Sequence, residues 1–440
     1  MIRWLFSKTV RDAGAMHKHV YRMLCAQRDL ITPVAFQLVS GALVDLRKAL
    51  HDREPVGTIR EKMLTCEEVA NKWLKSYPHP LWRENVEVLL VAIAVAMAIR
   101  TFFVQPFKIP TGSMQPTLYG VTAEPDYGPL WRVAGTPDQA KAVYQKIMQE
   151  ENDIVVPTGW ARVKDWFHGI SYVNYVAPVD GQVEVSPMLH FFIFNIKQTI
   201  SIGGVQHTFW FPPDYGESQV KSPDGNLIDP FIYRAGLFSN RSFKKGDVVV
   251  KLKVIAGDHL FVDRLTYNFR KPARGDIVVF ETKGIPEDQR NLYQIPDDEF
   301  YIKRLCGLSG ESILLQQDYI ATSVANSGGA DVPVGHLVVD GKALSASTPH
   351  FENLYSFENP PAGAKTIPYK EDGYFGHAMV QRLQPGQEVQ IRPNHLFVMG
   401  DNTMDSLDSR YWGDFPDSSI VGKAFFVYWP LSSRFGCGIQ

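Results

Sequence analysis

The stretch VEVLLVAIAVAMAIRTFFV (residues 86–104), followed without a break by QPFKIPTGSMQPTL (105–118), decides how this chain is read. The first part has 19 residues, and at about 1.5 Å per residue a helix of that length covers roughly 28 Å, close to a bilayer core. Its uncharged centre, Val88 to Ile99, is 12 residues long. Glu87 and Arg100 stand near the ends, where long side chains reach the interface, and Trp82, Phe102 and Phe103 are placed as interfacial anchors. The alternative is a buried helix of a soluble domain; the lack of a polar face in the centre favours the span. In the second part, Pro106, Pro110 and Pro116 enclose Gly112-Ser113. Such a backbone is rigid around one hydroxyl, as a positioned nucleophile requires. Thr-Gly-Ser alone is also an ordinary turn.

Before the span lies an arm, 1–84, that reads as mostly helical. Its opening, MIRWLFSKTVRDAG, is no secretory signal, because the apolar stretch at Trp4 to Phe6 is only three residues long. Leu30 to Val44 is uncharged but contains Pro33 and Gly41, and reads as a packed or interfacial helix. The arm holds 14 Lys/Arg against 9 Asp/Glu, and Lys72, Lys75 and Arg83 before the span outnumber Arg100 and Lys108 after it. Both counts put the N-terminus on the cytoplasmic side. There Cys25 and Cys66 would stay reduced, as core thiols rather than a bridge.

Composition bounds the rest. At about 150 residues per domain, 440 residues suggest roughly two to four units. The 45 Lys/Arg and 47 Asp/Glu leave a net charge of −2, which argues against a nucleic-acid partner. Four cysteines without a CxxC pair exclude a disulfide scaffold and a zinc ribbon. A mean hydropathy of −0.14 excludes a polytopic membrane protein.

After the span, short β-type runs alternate with Gly, Pro and Asp turns: QVEV (182–185), HFFIFNI (190–196), HTFWF (207–211), DVVVKLKV (247–254), HLFV (259–262), DIVVF (276–280), HLVVDGK (336–342), EVQIRP (388–393), HLFVMG (395–400) and AFFVYW (424–429). The pattern predicts a folded-over antiparallel sheet or barrel. Asp340-Gly341 signals a two-residue hairpin, with loops filling the rest of 322–365. One helix stands out after Thr136-Pro137-Asp138-Gln139, an N-cap with Pro at N1 and a capping-box Gln. Gly-Asp recurs at 246, 257, 275 and 400, and turn chemistry accounts for the first three.

A serine attacks only when a base takes its proton. None of the 12 histidines stands in an obvious arrangement with Ser113, and His259 and His395 look structural. A lysine can serve if burial keeps it neutral. Tyr301-Ile302-Lys303-Arg304-Leu305-Cys306-Gly307 reads as a strand with apolar neighbours on both sides of Lys303. The alternative is a solvent-facing lysine on an edge strand. The third cluster, Gly400-Asp401-Asn402-Thr403-Met404-Asp405-Ser406-Leu407-Asp408-Ser409-Arg410-Tyr411-Trp412-Gly413, follows a strand and is dense in turn formers and hydroxyls. It could also be a calcium loop, but it lacks the EF-hand spacing and final Glu.

Together the clusters resemble the type I signal peptidase (leader peptidase) family of Ser–Lys proteases. The matches run in the family's order: the span, GSMQPTL (112–118), RGDIVVF (274–280), YIKR-x-x-G-x-x-G (301–310), GDN-x-x-x-S-x-DSRYWG (400–413) and VGKAFFVYW (421–429). They cover 85–118, 254–313 and 388–430, about a third of the chain. The resemblance implies a mainly β fold, with folded-over antiparallel sheets of the signal-peptidase type, an N-terminal helical arm and one transmembrane helix. It divides the chain into a cytoplasmic arm (1–84), the span (85–104), a catalytic β core (105–118, 254–313, 385–440), a β-rich insertion with one helix (119–253) and a second β/loop insertion (314–384).

Carried over by position, Ser113 is the nucleophile and Lys303 the general base. Ser406 orients the lysine amine, and the Thr111 hydroxyl with the Ser113 N–H forms the oxyanion hole. Asp408 and Arg410 form a structural ion pair, and Phe107, Ile109 and Ile302 line shallow pockets for an Ala-x-Ala-like substrate bound as an added strand. The implied reaction removes signal peptides from exported preproteins with no metal or cofactor. The enzyme would sit in the plasma membrane near the export machinery and in contact with lipid, its catalytic part outside the cytoplasm. The sequence departs from the family at Thr111 (serine is usual), at Gly307-Leu308-Ser309-Gly310 (Gly-x-Pro-Gly is usual) and at Thr403 (Arg is common). Cys306, close to Lys303, is expected to be buried and inert, the alternative being a site sensitive to thiol reagents. Two other readings are a self-cleaving regulatory Ser–Lys protease and a non-catalytic β-rich envelope protein; the span and the last cluster oppose the former, the presence of both Ser113 and Lys303 the latter.

Overall fold

Helix periodicity places Val20 and Leu24, then Val39, Leu43 and Leu46, then Ile59, Cys66 and Ala70, on the inner faces of three successive helices, where they form one apolar core. These are α1 (Lys8–Ala26), α2 (Pro33–His51) and α3 (Val56–Trp73). The computed structural model describes residues 7–75, 80–128, 137–191, 194–216, 220–221, 227–237, 241–322, 331–356, 365–368 and 373–437. Two units divide the chain, Met1–Val95 and Ala96–Gln440. In the first, Thr32 caps α2 by accepting from the Ala35 N–H, with Pro33 at N1. The buried Gln27 closes the bundle by holding both backbone groups of Lys75, at 2.8 and 3.0 Å. The packed helix expected over 30–44 is thus α2. Cys66 is buried as expected, whereas Cys25 is exposed, because it lies on the outer side of α1 beside the buried Leu24.

Helix α4 (Pro80–Phe102) contains the expected span. Over Glu84–Phe102 it is long and apolar enough to cross a membrane, and none of that stretch is buried by the rest of the chain. A helix in the core of a soluble domain would be covered by its neighbours.

The second unit is built on a seven-stranded antiparallel sheet: β1 (Val104–Lys108), β2 (His259–Asp263), β3 (Ile277–Glu281), β4 (Phe300–Gly307), β5 (His395–Met399), β6 (Phe415–Pro416) and β7 (Ile420–Trp429). Their spatial order is β1-β2-β7-β3-β4-β5-β6. The sheet curls strongly: Phe107 on edge strand β1 meets Phe300 of β4 with ring centroids 5.4 Å apart. Ile109, Met114 and Leu118, just past β1, pack into the hollow with Leu260, Val262, Ile277, Val279 and Val427.

The expected insertion has a core of its own. One sheet joins Thr122–Glu124, Val248–Ile255 and Ile170–Val176. A second joins Ser242–Phe243, Gly181–Val185, Phe194–Ile202 and Leu189–Phe191, with Val205–Trp210 alongside. Both share a cluster that includes Ala123, Val183, Ile200, Phe231, Val250 and Leu252. The run HFFIFNI, expected as one strand, is two: Phe191 pairs back on Phe194. A mostly apolar run without alternation satisfies either arrangement, which is why periodicity did not separate them. The expected helix spans Pro137–Asp153; its N-cap Thr136 lies outside the described residues. The insertion leaves and rejoins the core at one neck. Tyr119 N–H donates to the Asp258 carboxylate and Asp258 N–H to the Tyr119 carbonyl, each at 2.8 Å, across a separation of 139 positions.

Past β4, Ser312–Thr322 and Asp331–Val339 form a long antiparallel pair. The hairpin after it turns at Asp340 (φ 48°) and Gly341 (φ 79°), the left-handed pair that the Asp-Gly signal requires. Gly-Asp elsewhere does more than turn: the buried carboxylates of Asp258 and Asp276 hold Arg434 and Lys423 respectively.

Candidate active site

Strand parity sets the site. Along β4 successive side chains point to opposite faces. Lys303 turns into the hollow, and its Nζ lies 2.7 Å from Ser113 Oγ and 3.1 Å from the Ile302 carbonyl. Arg304 turns the other way, where its Nε and Nη2 grip Asp401 at 2.8 and 2.7 Å. Lys303 is only 4% exposed, so the solvent-facing alternative fails. Burial in an apolar hollow disfavours the ammonium and lowers its pKa from 10.5 to about 8, against a smaller upward pull from Asp408. That pull is limited because Asp408 is bound to Arg410, at 2.8 and 2.7 Å, in a fully buried pair.

The serine segment is held from three sides. Gln115 N–H bonds the Gly112 carbonyl and Leu118 N–H the Met114 carbonyl, winding 112–118 into a tight turn. Asn402 donates its backbone N–H to the Ser113 carbonyl (3.1 Å) and its amide to the Gly112 carbonyl (3.0 Å). Thr117 and Arg304 meet on the one Asp401 carboxylate, tying the segment to β4. Close backbone approach explains three glycines. A Cβ on Gly120 would overlap the Thr111 carbonyl, one on Gly257 the Ile109 carbonyl, and one on Gly400 the Ser113 carbonyl and Ser406 Oγ.

Around this centre stand the other expected residues. Ser406 Oγ donates to Asp408 at 2.8 Å, and the same carboxylate oxygen accepts the Gly400 N–H at 2.9 Å. The hydrogen bonds of the Lys303 amine go to Ser113 and Ile302, so the bond expected from Ser406 to the amine is not formed, and Ser406 bonds Asp408 instead. Thr111 is exposed. Ile109, Phe107 and Ile302 share one apolar cluster, with Ile109 fully buried and the other two half-buried. Thr403, where arginine is common, accepts Arg410 through its hydroxyl and carbonyl. Ser309 accepts the Asn394 N–H at 2.7 Å, which braces the turn that lacks proline. Cys306 is fully buried and its thiol is pushed up to about 12 by burial, which makes it inert. Among the described residues no His, Cys, Asp and Glu are grouped to hold a metal, and two of the three acids of the 400–413 loop, Asp401 and Asp408, are taken by arginines.

A family model described as signal peptidase, peptidase S26, matches residues 82–123 and 230–429, more than half of the chain. The chain belongs to this family. Membership makes it a serine endopeptidase of the hydrolase class. Signal peptidase I of Pseudomonas aeruginosa is 29% identical over 228 residues, 46% of this chain and 70% of that one. Signal peptidase I of Leptolyngbya laminosa is 27% identical over 176 residues, 40% of this chain and 62% of that one. A crystal structure of a signal peptidase I from Enterococcus faecalis aligns over 35% of this chain and 97% of its own, at 20% identity and a TM-score of 0.19. The family model skips 124–229, within the stretch 119–253 expected as an insertion, and matches the remainder of that stretch.

Sequence reasoning did not find Arg304–Asp401, Asn402 or the three glycines. A signal existed for the first: a strand that buries Lys303 on one face presents Arg304 to the other, where a buried guanidinium needs a carboxylate.

Proposed function

We propose that this S26 peptidase is a membrane-anchored enzyme that removes N-terminal signal peptides from exported preproteins with a Ser113–Lys303 dyad, cutting after small residues in an Ala-x-Ala-like pattern. The observation that carries the reading is the 2.7 Å approach of a buried, apolar-shielded amine to one rigidly held hydroxyl. In its neutral form Lys303 accepts the Ser113 proton, and the oxygen attacks the carbonyl at the end of the signal peptide. The Thr111 hydroxyl and the Ser113 N–H receive the negative charge, each donor contributing about 3 kcal/mol to the transition state. Lys303 then gives its proton to the leaving amine, and water releases the acyl-enzyme. Ser406, bonded to Asp408 rather than to the amine, holds the wall behind it together with Asp408 and Arg410.

Phe107, Ile109 and Ile302 would leave room only for small side chains, with the substrate lying as an extra strand between β1 and β4. We assign 105–118, 254–313 and 385–440 to the catalytic core, α4 to a single span with the N-terminus in the cytoplasm, and the catalytic part to the outer side of the plasma membrane beside the export machinery. Anchoring enzyme and precursor in one bilayer raises their effective concentration and offsets weak pockets. Cleavage of a presecretory precursor by the detergent-solubilised full chain tests this. Ser113→Ala and Lys303→Met should each abolish it while leaving the circular dichroism unchanged; retained cleavage in either variant refutes the dyad.

A further inference from the structure

The insertion contains a short helix, Trp160–Phe167, whose polarity is turned inside out. At roughly 100° per residue, Trp160, Val163, Trp166 and Phe167 fill one arc of about 120°, Arg162 and Lys164 border it on either side, and Asp165 lies opposite. In a soluble protein such an arc faces the core. Here it faces out: Trp160 is 85% exposed, Trp166 58%, Phe167 47% and Val163 41%, and the helix buries no residue. The polar side is the one tied down, with Tyr172 donating its hydroxyl to Asp165 at 2.7 Å. The helix end is fixed to the chain after β7, where Leu431 N–H donates to the Phe167 carbonyl at 3.0 Å. Leu431, itself 42% exposed, extends the apolar surface.

We infer that this helix is a second membrane attachment, lying in the interfacial plane of the bilayer with its tryptophans among the acyl chains and Arg162 and Lys164 at the phosphates. Three observations select lipid as the occupant. The arc pairs tryptophans and phenylalanine with a cation on each border, the composition of an interfacial helix. Both indoles can bury their rings while the ring N–H stays at the headgroup level. And the same chain carries α4, so a bilayer is already at hand; this step rests on the membrane-anchored reading above. The insertion would then hold the catalytic unit down on the surface where precursors are embedded.

The test uses the full chain with Cys25 and Cys437 changed to serine and one new cysteine carrying an environment-sensitive fluorophore, reconstituted in phosphatidylcholine/phosphatidylglycerol vesicles. A label at Val163→Cys should be quenched by shallow spin-labelled lipid at a depth of about 5–10 Å, and one at Ala161→Cys, off the arc, should not. A water-exposed label at 163 overturns the inference, as does burial that appears in lipid-free detergent and fades on dilution, which would mean a second copy covers the arc. A label at Val91→Cys on α4 reports the anchor separately: quenched at 91 but not at 163, the anchor stands and this inference falls; quenched at 163 only, the anchor reading falls. None of these readouts needs activity. Trp160→Ser/Trp166→Ser, at exposed positions, should abolish quenching at 163 without loss of fold.

Discussion

Lys303→Met should make the protein more stable at neutral pH while destroying its activity. The amine has a pKa of about 8 in the folded chain against 10.5 when unfolded. The unfolded state therefore binds the proton more tightly, and below pH 8 the folded state bears the full difference, about 3 kcal/mol. As pH rises from 8 to 10.5 the unfolded lysine also loses its proton and the cost disappears. Methionine fills a similar volume with no charge to bury, at the expense of the hydrogen bonds to Ser113 and to the Ile302 carbonyl, about 2 kcal/mol together. The variant should thus gain about 1 kcal/mol at pH 7, lose the gain by about pH 9, and fall about 2 kcal/mol below the parent above pH 10.5. Thermal or urea unfolding of the full chain in detergent at pH 7 and pH 10 measures this, with Ser113→Ala as the control that keeps the lysine. A methionine variant that is less stable at pH 7, or whose offset does not change with pH, would refute the claim that the fold strains against this amine.

The same group sets the rate. kcat/KM should fall about ten-fold per pH unit below pH 8 and level off above it, and a profile flat down to about pH 5 would exclude Lys303 as the base. Gly400→Ala puts a methyl into the Ser113 carbonyl and Ser406 Oγ, so kcat should drop by about 100-fold with little change in KM, as a displaced nucleophile dictates. Arg304→Leu strands a buried carboxylate and should cost about 3–5 kcal/mol in unfolding, with Asp401→Leu added in the double variant restoring much of it. Thiol reagents should label Cys25 and Cys437 but leave Cys306 and the cleavage rate untouched.

What the sequence disclosed was mostly local. Lys303 reads as a strand residue because apolar residues stand on both sides of it in Tyr301–Gly307, and the Asp340-Gly341 turn follows from two backbone angles that few residue pairs tolerate. The helical arm is legible because its apolar spacing repeats on one face. What escaped is set by which strands become neighbours. Arg304 and Asp401 are 97 positions apart and meet only because β5 lies beside β4. The glycines at 120, 257 and 400 look like turn residues until another stretch of backbone is laid against them. Cys25 and Cys66 were read alike, yet one sits on the outer side of its helix and the other inside the bundle. The outward tryptophans of the insertion were equally invisible, since a helix's apolar face does not announce whether protein or solvent meets it.

The joint between Tyr119 and Asp258 has a bearing on how such a chain can change over generations. Because 139 positions of polypeptide start and finish at one hydrogen-bonded point, the ends of the strands on either side of it are held together whatever length is hung there. Halving or doubling that length alters the entropy of closing it by only about 0.6 kcal/mol. An appendage mounted in this way can be enlarged, pared down or exchanged for another, as long as the residues on either side of the joint keep their grip on each other and on the loop that bears the reactive hydroxyl.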